Sequence, residues 1–257
     1  MRFAALLEYD GTAYHGWQRQ ASQLVTLQET IETALSKVAD EAITVVCAGR
    51  TDAGVHAKKQ VIHFDSNALR TTRAWILGSN HFLPHDITLY ALGQMPDDFH
   101  ARFSAQARQY QYRIYNHPVR SARERWYTTW HAAPLDAELM HQAAQKLVGE
   151  HDFSSFRAKD CQAKSPIKNL EFLNVYRQDS LVIIDIKANA FLHHMVRNIA
   201  DVLMCIGSGR AQSDWLDELL MVKSRTAGGA TARATGLHFM DVFYPQSFSL
   251  PQSLHFS

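Results

Sequence analysis

Read for hydrophobic period, this chain runs strand, helix, strand, strand, helix, strand and then nearly repeats that order, which restricts it to a small set of α+β folds. An apolar run at residues 3–9 predicts the first strand. A helix follows from Thr26, where Thr26-Leu27-Gln28-Glu29 has capping-box spacing and Leu27, Ile31, Leu35 and Val38 form one stripe. Strands are predicted near residues 43–48 and 60–65, a short helix at 72–77 and a strand at 87–92. The second half reads as a strand at 108–116, a helix at 136–148, strands at 169–177 and 181–188, helices at 191–206 and 214–222, and a strand at 236–244. Two βαββαβ runs of this length make the ferredoxin-like split motif. The expectation is therefore an α+β protein of two related ferredoxin-like halves with mixed or antiparallel sheets: residues 1–105, carrying an aspartate loop, and residues 106–257.

That loop is Cys47-Ala48-Gly49-Arg50-Thr51-Asp52-Ala53-Gly54-Val55-His56-Ala57. β-Branched runs on both sides make it a projection from a sheet, the usual place for chemistry on a rigid scaffold. Gly49 and Gly54 permit sharp turns on either side of Asp52. Spacing alone leaves two roles for this acid, a reagent or a turn residue whose carboxylate bonds a nearby N–H.

Several segments carry a resemblance. Ala48 to Ala57 is similar to the active-site signature of the TruA family of tRNA pseudouridine synthases. The opening Glu8-Tyr9-Asp10-Gly11-Thr12-Ala13-Tyr14-His15-Gly16-Trp17-Gln18-Arg19-Gln20 resembles that family's first motif. Asp97 to Ala105, the alternating Tyr110-Gln111-Tyr112-Arg113-Ile114-Tyr115-Asn116 and Phe191 to Asn198 extend the likeness over most of the chain. The resemblance implies isomerisation of uridine to pseudouridine at positions 38, 39 and 40 of the tRNA anticodon stem-loop. It further implies a two-lobed fold with a central basic RNA-binding cleft, a homodimer, and no cofactor.

The resemblance also assigns residues. It makes Asp52 the catalytic acid and Arg197 its partner, places an active-site tyrosine at Tyr110, and puts at Arg50 the arginine that fills the gap left by an extruded base. His56 and Arg102 are further candidates for orienting the loop and the RNA. Physical chemistry asks for the same types. A carboxylate kept charged away from water needs a cation beside it, and a guanidinium can bond it through two N–H groups. A base stacked in RNA must be unstacked to be reached, and a phenol can both stack and exchange protons. Arg50 can instead only bind phosphate, and two other residues have local alternatives. His193, Arg197 and Asp201 are four apart, so Arg197 can pair with Asp201 along a helix. Tyr110 can be core, since Tyr110, Tyr112 and Ile114 share one strand face.

Net charge is only +1, so any RNA surface must be a local patch. Residues 101–125 supply Arg102, Arg108, Arg113, Arg120, Arg123 and Arg125 with interleaved tyrosines, and Arg157, Lys159, Lys164 and Lys168 form a second basic run. Both suit phosphate contact and stacking, and both can equally be solvated faces. Three well-separated cysteines without a Cys-x-x-Cys pair suggest reduced, buried thiols rather than disulfides or a zinc site. Fourteen histidines show no His-Glu-x-x-His spacing, and no metal is expected. An early acid at Glu8 and the lack of a long apolar run read as a soluble, cytoplasmic protein. The rival functions are a non-catalytic RNA-binding protein and a metal-dependent hydrolase.

Overall fold

A computed structural model describes residues 1–21, 24–159 and 161–253. The chain forms two compact units, residues 1–106 with 239–257, and residues 107–238.

In the first unit the elements are β1 (Arg2–Tyr9), α1 (Leu27–Ala39), β2 (Val46–Cys47), β3 (His56–Asp65), α2 (Thr72–Phe82) and β4 (Ile87–Gln94), the expected βαββαβ order. Its sheet runs β4-β1-β3, with β1 antiparallel to both neighbours and β2 beside β3. Phe3, Phe64 and Trp75 pack ring against ring beneath it. β2 is much shorter than residues 43–48, because helix α1 takes the backbone: Ile43 N–H donates to Ser36 Oγ at 2.9 Å and Val45 N–H to Glu32 Oε1 at 3.0 Å. The expected capping box is not used either. Thr26 makes no side-chain cap bond and its Oγ1 is buried without a hydrogen-bond partner, while Leu27 and Gln28 N–H groups donate to the carbonyls of Gly16 and Trp17 at 3.1 and 2.9 Å. Helix α2 runs past residue 77 to Phe82 and is capped by Thr71, whose side chain accepts from Ala74 N–H.

The second unit holds β5 (Ala107–Asn116), β6 (Thr129–His131), α3 (Ala137–Ala144), β7 (Gly149–Asp152), β8 (Ile167–Gln178), β9 (Leu181–Ala188), α4 (Met195–Gly207) and α5 (Trp215–Val222). Its sheet is β5-β9-β8-β7, antiparallel along the β5-β9-β8-β7 path, with β6 parallel to β5. Strands β6 and β7 are additions to the expected order. They are short edge pairings, and Gly-Glu-His-Asp carries no hydrophobic alternation to announce a strand. Helix α4 is buried nearly all round; its Arg197, Asp201 and Cys205 form the stripe that is only half-buried.

The last strand, β10 (Leu237–Phe243), was expected with the second half, but from Phe239 onward its residues belong to the first unit, on the free side of β3. Lys59 pairs with Asp241 at 2.7 Å, Tyr244 Oη donates to the Ala101 carbonyl at 2.7 Å, and Phe248 packs edge-on to Phe99. Pairing an otherwise open strand edge is the physical reason for the return. The cysteines are free thiols, Cys47 and Cys161 buried and Cys205 half-buried rather than buried. Among the described residues no helix is long and apolar enough to cross a membrane.

Candidate active site

The Asp52 loop is held from below by β1 and the segment that follows it. Gln60, fully buried in β3, clamps Gly49 by both backbone groups, donating to its carbonyl at 2.7 Å and accepting its N–H at 3.3 Å. Thr51 is gripped at two points: its hydroxyl shares a 2.8 Å hydrogen bond with Tyr9, and its carbonyl accepts Trp17 N–H at 2.9 Å. Gly54 N–H donates to the Tyr14 carbonyl at 3.3 Å. The turn closes on main-chain atoms, Val55 N–H to the Asp52 carbonyl at 3.2 Å.

Two glycines of the opening motif make this fit possible. A Cβ on Gly11 would stand 2.0 Å from the Val55 carbonyl oxygen, and Gly16 adopts φ +90 against the Thr51 carbonyl. The first is a backbone-to-backbone approach that only glycine allows, and the second is a conformation that other residues reach at a cost. The opening motif is thus the seat of the Asp52 loop. The sequence signal for that role is two glycines each close before an aromatic, Gly11 before Tyr14 and Gly16 before Trp17.

On that seat Asp52 is half-buried and Arg50 exposed. His56 is buried at the foot of the loop, its Nδ1 accepting Gly11 N–H at 3.2 Å and lying 3.1 Å from the Asp10 carboxylate. That placement ties the far end of the loop to the opening motif. Arg102 is exposed, over the ring of Phe103. Burial pushes the Cys47 thiol up to about 12 against the opposing charges of Arg50 and Arg102, so both guanidinium groups act on the foot of the same loop.

Tyr110 and Arg197 lie in the second unit. Tyr110 sits in β5 opposite Ile186, is 8% exposed, and meets the ring of Phe191 edge-on at 5.0 Å. Tyr112, on the same strand face, is core: its hydroxyl bonds Thr129 Oγ1 at 2.6 Å and donates to the Arg233 carbonyl at 2.8 Å. It is therefore no stacking surface. Helix α4 begins at Met195 rather than 191, because His193 is drawn into other bonding and His194 turns left-handed. His194 takes φ 62, Ala158 N–H donates to the His193 carbonyl at 3.0 Å, and His193 N–H donates to Cys161 Sγ at 3.3 Å. His193 thus lies outside the helical face that its spacing suggested.

The late start puts Arg197 in the first turn of α4, where the helix dipole opposes a cation by about 0.3–1 kcal/mol. Its Nε donates to the Ala232 carbonyl at 2.7 Å, and Ala232 N–H returns to the Arg197 carbonyl at 3.4 Å. Asn198 extends the clamp: its Nδ2 donates to the Phe156 carbonyl at 2.7 Å, and its Oδ1 accepts Thr231 Oγ1 at 2.7 Å. The glycine-containing segment at 227–236 therefore orients Arg197. The carboxyl of Asp201 is raised by burial, offset by the Arg210 charge, the Ala230 N–H, and Arg225 and His131.

Two basic residues are turned inward. Arg157 donates to the carbonyls of Cys161 and Ala163, and Lys168 is buried on those of Ser165 and Ile167. Gln109 bonds Asp185 at 2.7 Å. By contrast, Trp126 and Tyr127 are exposed, with Arg125 over the Trp126 ring at 4.9 Å.

Compared with known proteins, the chain matches the family model described as tRNA pseudouridine synthase over residues 5–104 and 143–245. It is 52% identical over 253 residues to tRNA pseudouridine synthase A of Histophilus somni, covering 98% of this chain and 94% of that protein. The namesake from Pseudomonas aeruginosa is 51% identical over 251 residues, with 98% and 88% covered. That from Legionella pneumophila strain Lens is 52% identical over 253 residues, with 98% and 96% covered.

Proposed function

The chain belongs to the tRNA pseudouridine synthase family, and on that footing we propose that it converts uridines 38, 39 and 40 of the tRNA anticodon stem-loop to pseudouridine, with Asp52 as the reacting carboxylate. Membership makes it an isomerase acting on tRNA. The observation that carries the residue assignment is the construction of the Asp52 loop, whose backbone is bonded at Gly49, Thr51, Gly54 and Val55 so that one half-buried carboxylate is presented on a rigid base.

The reaction breaks the bond from ribose C1′ to uracil N1, turns the uracil, joins C5 to C1′, gives the C5 proton to solvent or a base, and takes up a proton at N1, so that product and substrate are isomers. Asp52 begins it, by covalent addition at the sugar or the base or by assisting removal of a sugar proton; each route divides a hard step. The guanidinium of Arg197, the partner that the family likeness assigns, keeps Asp52 ionised. Arg50, exposed beside Asp52, enters the RNA stack in place of the extruded base. His56 orients the loop from beneath, and Arg102 contacts the RNA backbone. The reaction is internal and redox-neutral, so this reading calls for no cofactor and no metal. It also takes the protein to be a cytoplasmic homodimer.

Tyr110 stacks on the target uracil and moves the C5 proton. Its ring, braced by Phe191, supports a fixed orientation. Tyr110→Phe is expected to keep tRNA affinity within about twofold while slowing product formation by ~10²-fold or more, the scale of acid–base catalysis. Single-turnover rates at saturating enzyme measure this, and unchanged rates would leave only the stacking role.

The test of the function is pseudouridine mapping of an unmodified tRNA transcript after incubation with chelator-treated protein. Pseudouridine confined to positions 38 to 40 is the expected result. Tight tRNA binding without pseudouridine would instead point to a non-catalytic RNA-binding protein.

A further inference from the structure

Phe103 is 77% exposed, yet its ring is held between two neighbours. Its ring lies face to face with His100, centroids 4.3 Å apart and planes within 27°, and the Arg102 guanidinium caps it at 5.7 Å. The turn beneath is closed from several sides. His100 Nδ1 accepts the N–H groups of Arg102 and Phe103 at 3.2 and 3.1 Å, while His100 and Ser104 exchange two bonds of 3.0 and 2.9 Å. Ala101 N–H is anchored on His63 Nδ1 at 3.1 Å, and Ala101 is fully buried. His100 in turn packs on His63 at 4.6 Å. Burial holds the His63 imidazole down to about 4, so this support stays neutral near pH 7.

A core residue needs no such exposure, and a solvated loop phenylalanine needs no such bracing. Apolar surface already held rigid in water gives up little freedom on binding. A flat π-face beside an arginine suits a nucleobase, and its place is informative. His63 pairs with Val46 in the strand that feeds the Asp52 loop, and Arg102 acts on Cys47 together with Arg50. We propose that the His100–Phe103 stack is a base-stacking platform for an unpaired or end-of-stem nucleotide of the tRNA, other than the uridine being isomerised, with Arg102 on the adjoining phosphate. This rests on the tRNA-modifying reading and adds to it a positioning residue that acts on RNA binding rather than on the chemistry.

The experiment compares Phe103→Ala, Phe103→Leu and Phe103→Trp for tRNA transcript affinity, for kcat and KM in pseudouridine formation, and for sedimentation. Phe103→Ala is expected to weaken binding roughly 5- to 100-fold, the range for loss of one base–aromatic stack, with KM rising and kcat nearly unchanged. Phe103→Trp should bind like the parent, and Phe103→Leu should stay weak, because an apolar side chain without a π-face does not stack. The slope of log Kd against log salt should survive Phe103→Ala and fall by about 1 in Arg102→Ala, since only the latter removes a phosphate contact. Parental affinity in Phe103→Ala, full rescue by leucine, or a lower sedimenting mass would each overturn the platform. The lower mass would place a second copy of the chain on the ring. If the parent forms pseudouridine and Phe103→Ala binds normally, only this proposal fails; if the parent forms none, the functional reading fails and takes this proposal with it.

Discussion

Asp52→Asn is expected to reduce pseudouridine formation by ~10⁴-fold or more, the scale on which loss of a reacting side chain registers, while leaving tRNA affinity at or above the parental level. The fold of the loop should survive the change. Its turn closes on the Asp52 carbonyl, and its neighbours hang on Gln60, Tyr9, Trp17 and Tyr14 through Gly49, Thr51 and Gly54. Asparagine keeps the size and the backbone preferences of aspartate and removes one negative charge from a surface that meets phosphates, so binding has no reason to weaken. Pseudouridine mapping and a gel-shift titration on the same preparation separate the two effects. Residual activity within tenfold of the parent would return Asp52 to the turn role that its spacing also allows.

Arg197→Met comes second in expected size. Breaking a desolvated carboxylate–guanidinium pair costs about 3–5 kcal/mol, which as lost transition-state stabilisation is roughly a 150- to 5,000-fold fall in rate. An exposed pair with Asp201 would contribute only ~0.3–0.5 kcal/mol, and its loss would leave the rate nearly unchanged. The structure adds a complication to be measured alongside. Arg197 Nε also anchors the Ala232 carbonyl, and methionine gives up that bond, worth about 1 kcal/mol. Thermal midpoints report that structural part, and Arg197→Lys keeps a cation without the bidentate fork. A rate that falls far more than stability does, with only partial recovery in lysine, is the expected pattern. Near-parental activity in Arg197→Met would sink the catalytic assignment.

Element order was legible because it is written in period. The apolar run at residues 3–9, the strand pattern at 181–188 and the stripe of Leu27, Ile31 and Leu35 are local patterns, and they became β1, β9 and α1 within a residue or two. Where local pattern failed, a distant partner had taken the backbone. Residues 43–45 are β-branched, yet Ser36 and Glu32 of α1 take the N–H groups of Ile43 and Val45. Thr26 stands at a capping box that is unused, because the carbonyls of Gly16 and Trp17 already fill the helix end. Residues 191–194 continue an apolar pattern but are held out of α4 by Ala158 and Cys161.

The sequence by itself determined the α+β class, the order of elements in the first unit, and the presence of an acid on a glycine-flanked loop between two strands. These rest on side-chain period and on backbone permissions that neighbouring residues set. Only the tertiary structure decided what holds that loop and what becomes of its companions. The opening glycines form its seat because Gly11 and Val55 must touch, His56 is buried as its footing, and Arg197 falls in a helix first turn with Ala232 as its guide. Tyr110 and Tyr112, alike in the sequence, were separated in the same way: one packs its ring on Phe191, the other has its hydroxyl bonded to Thr129 and Arg233. Each of these is a contact between residues far apart in the chain, and the energy of such a contact depends on which groups the fold brings within bonding distance, which no local pattern records.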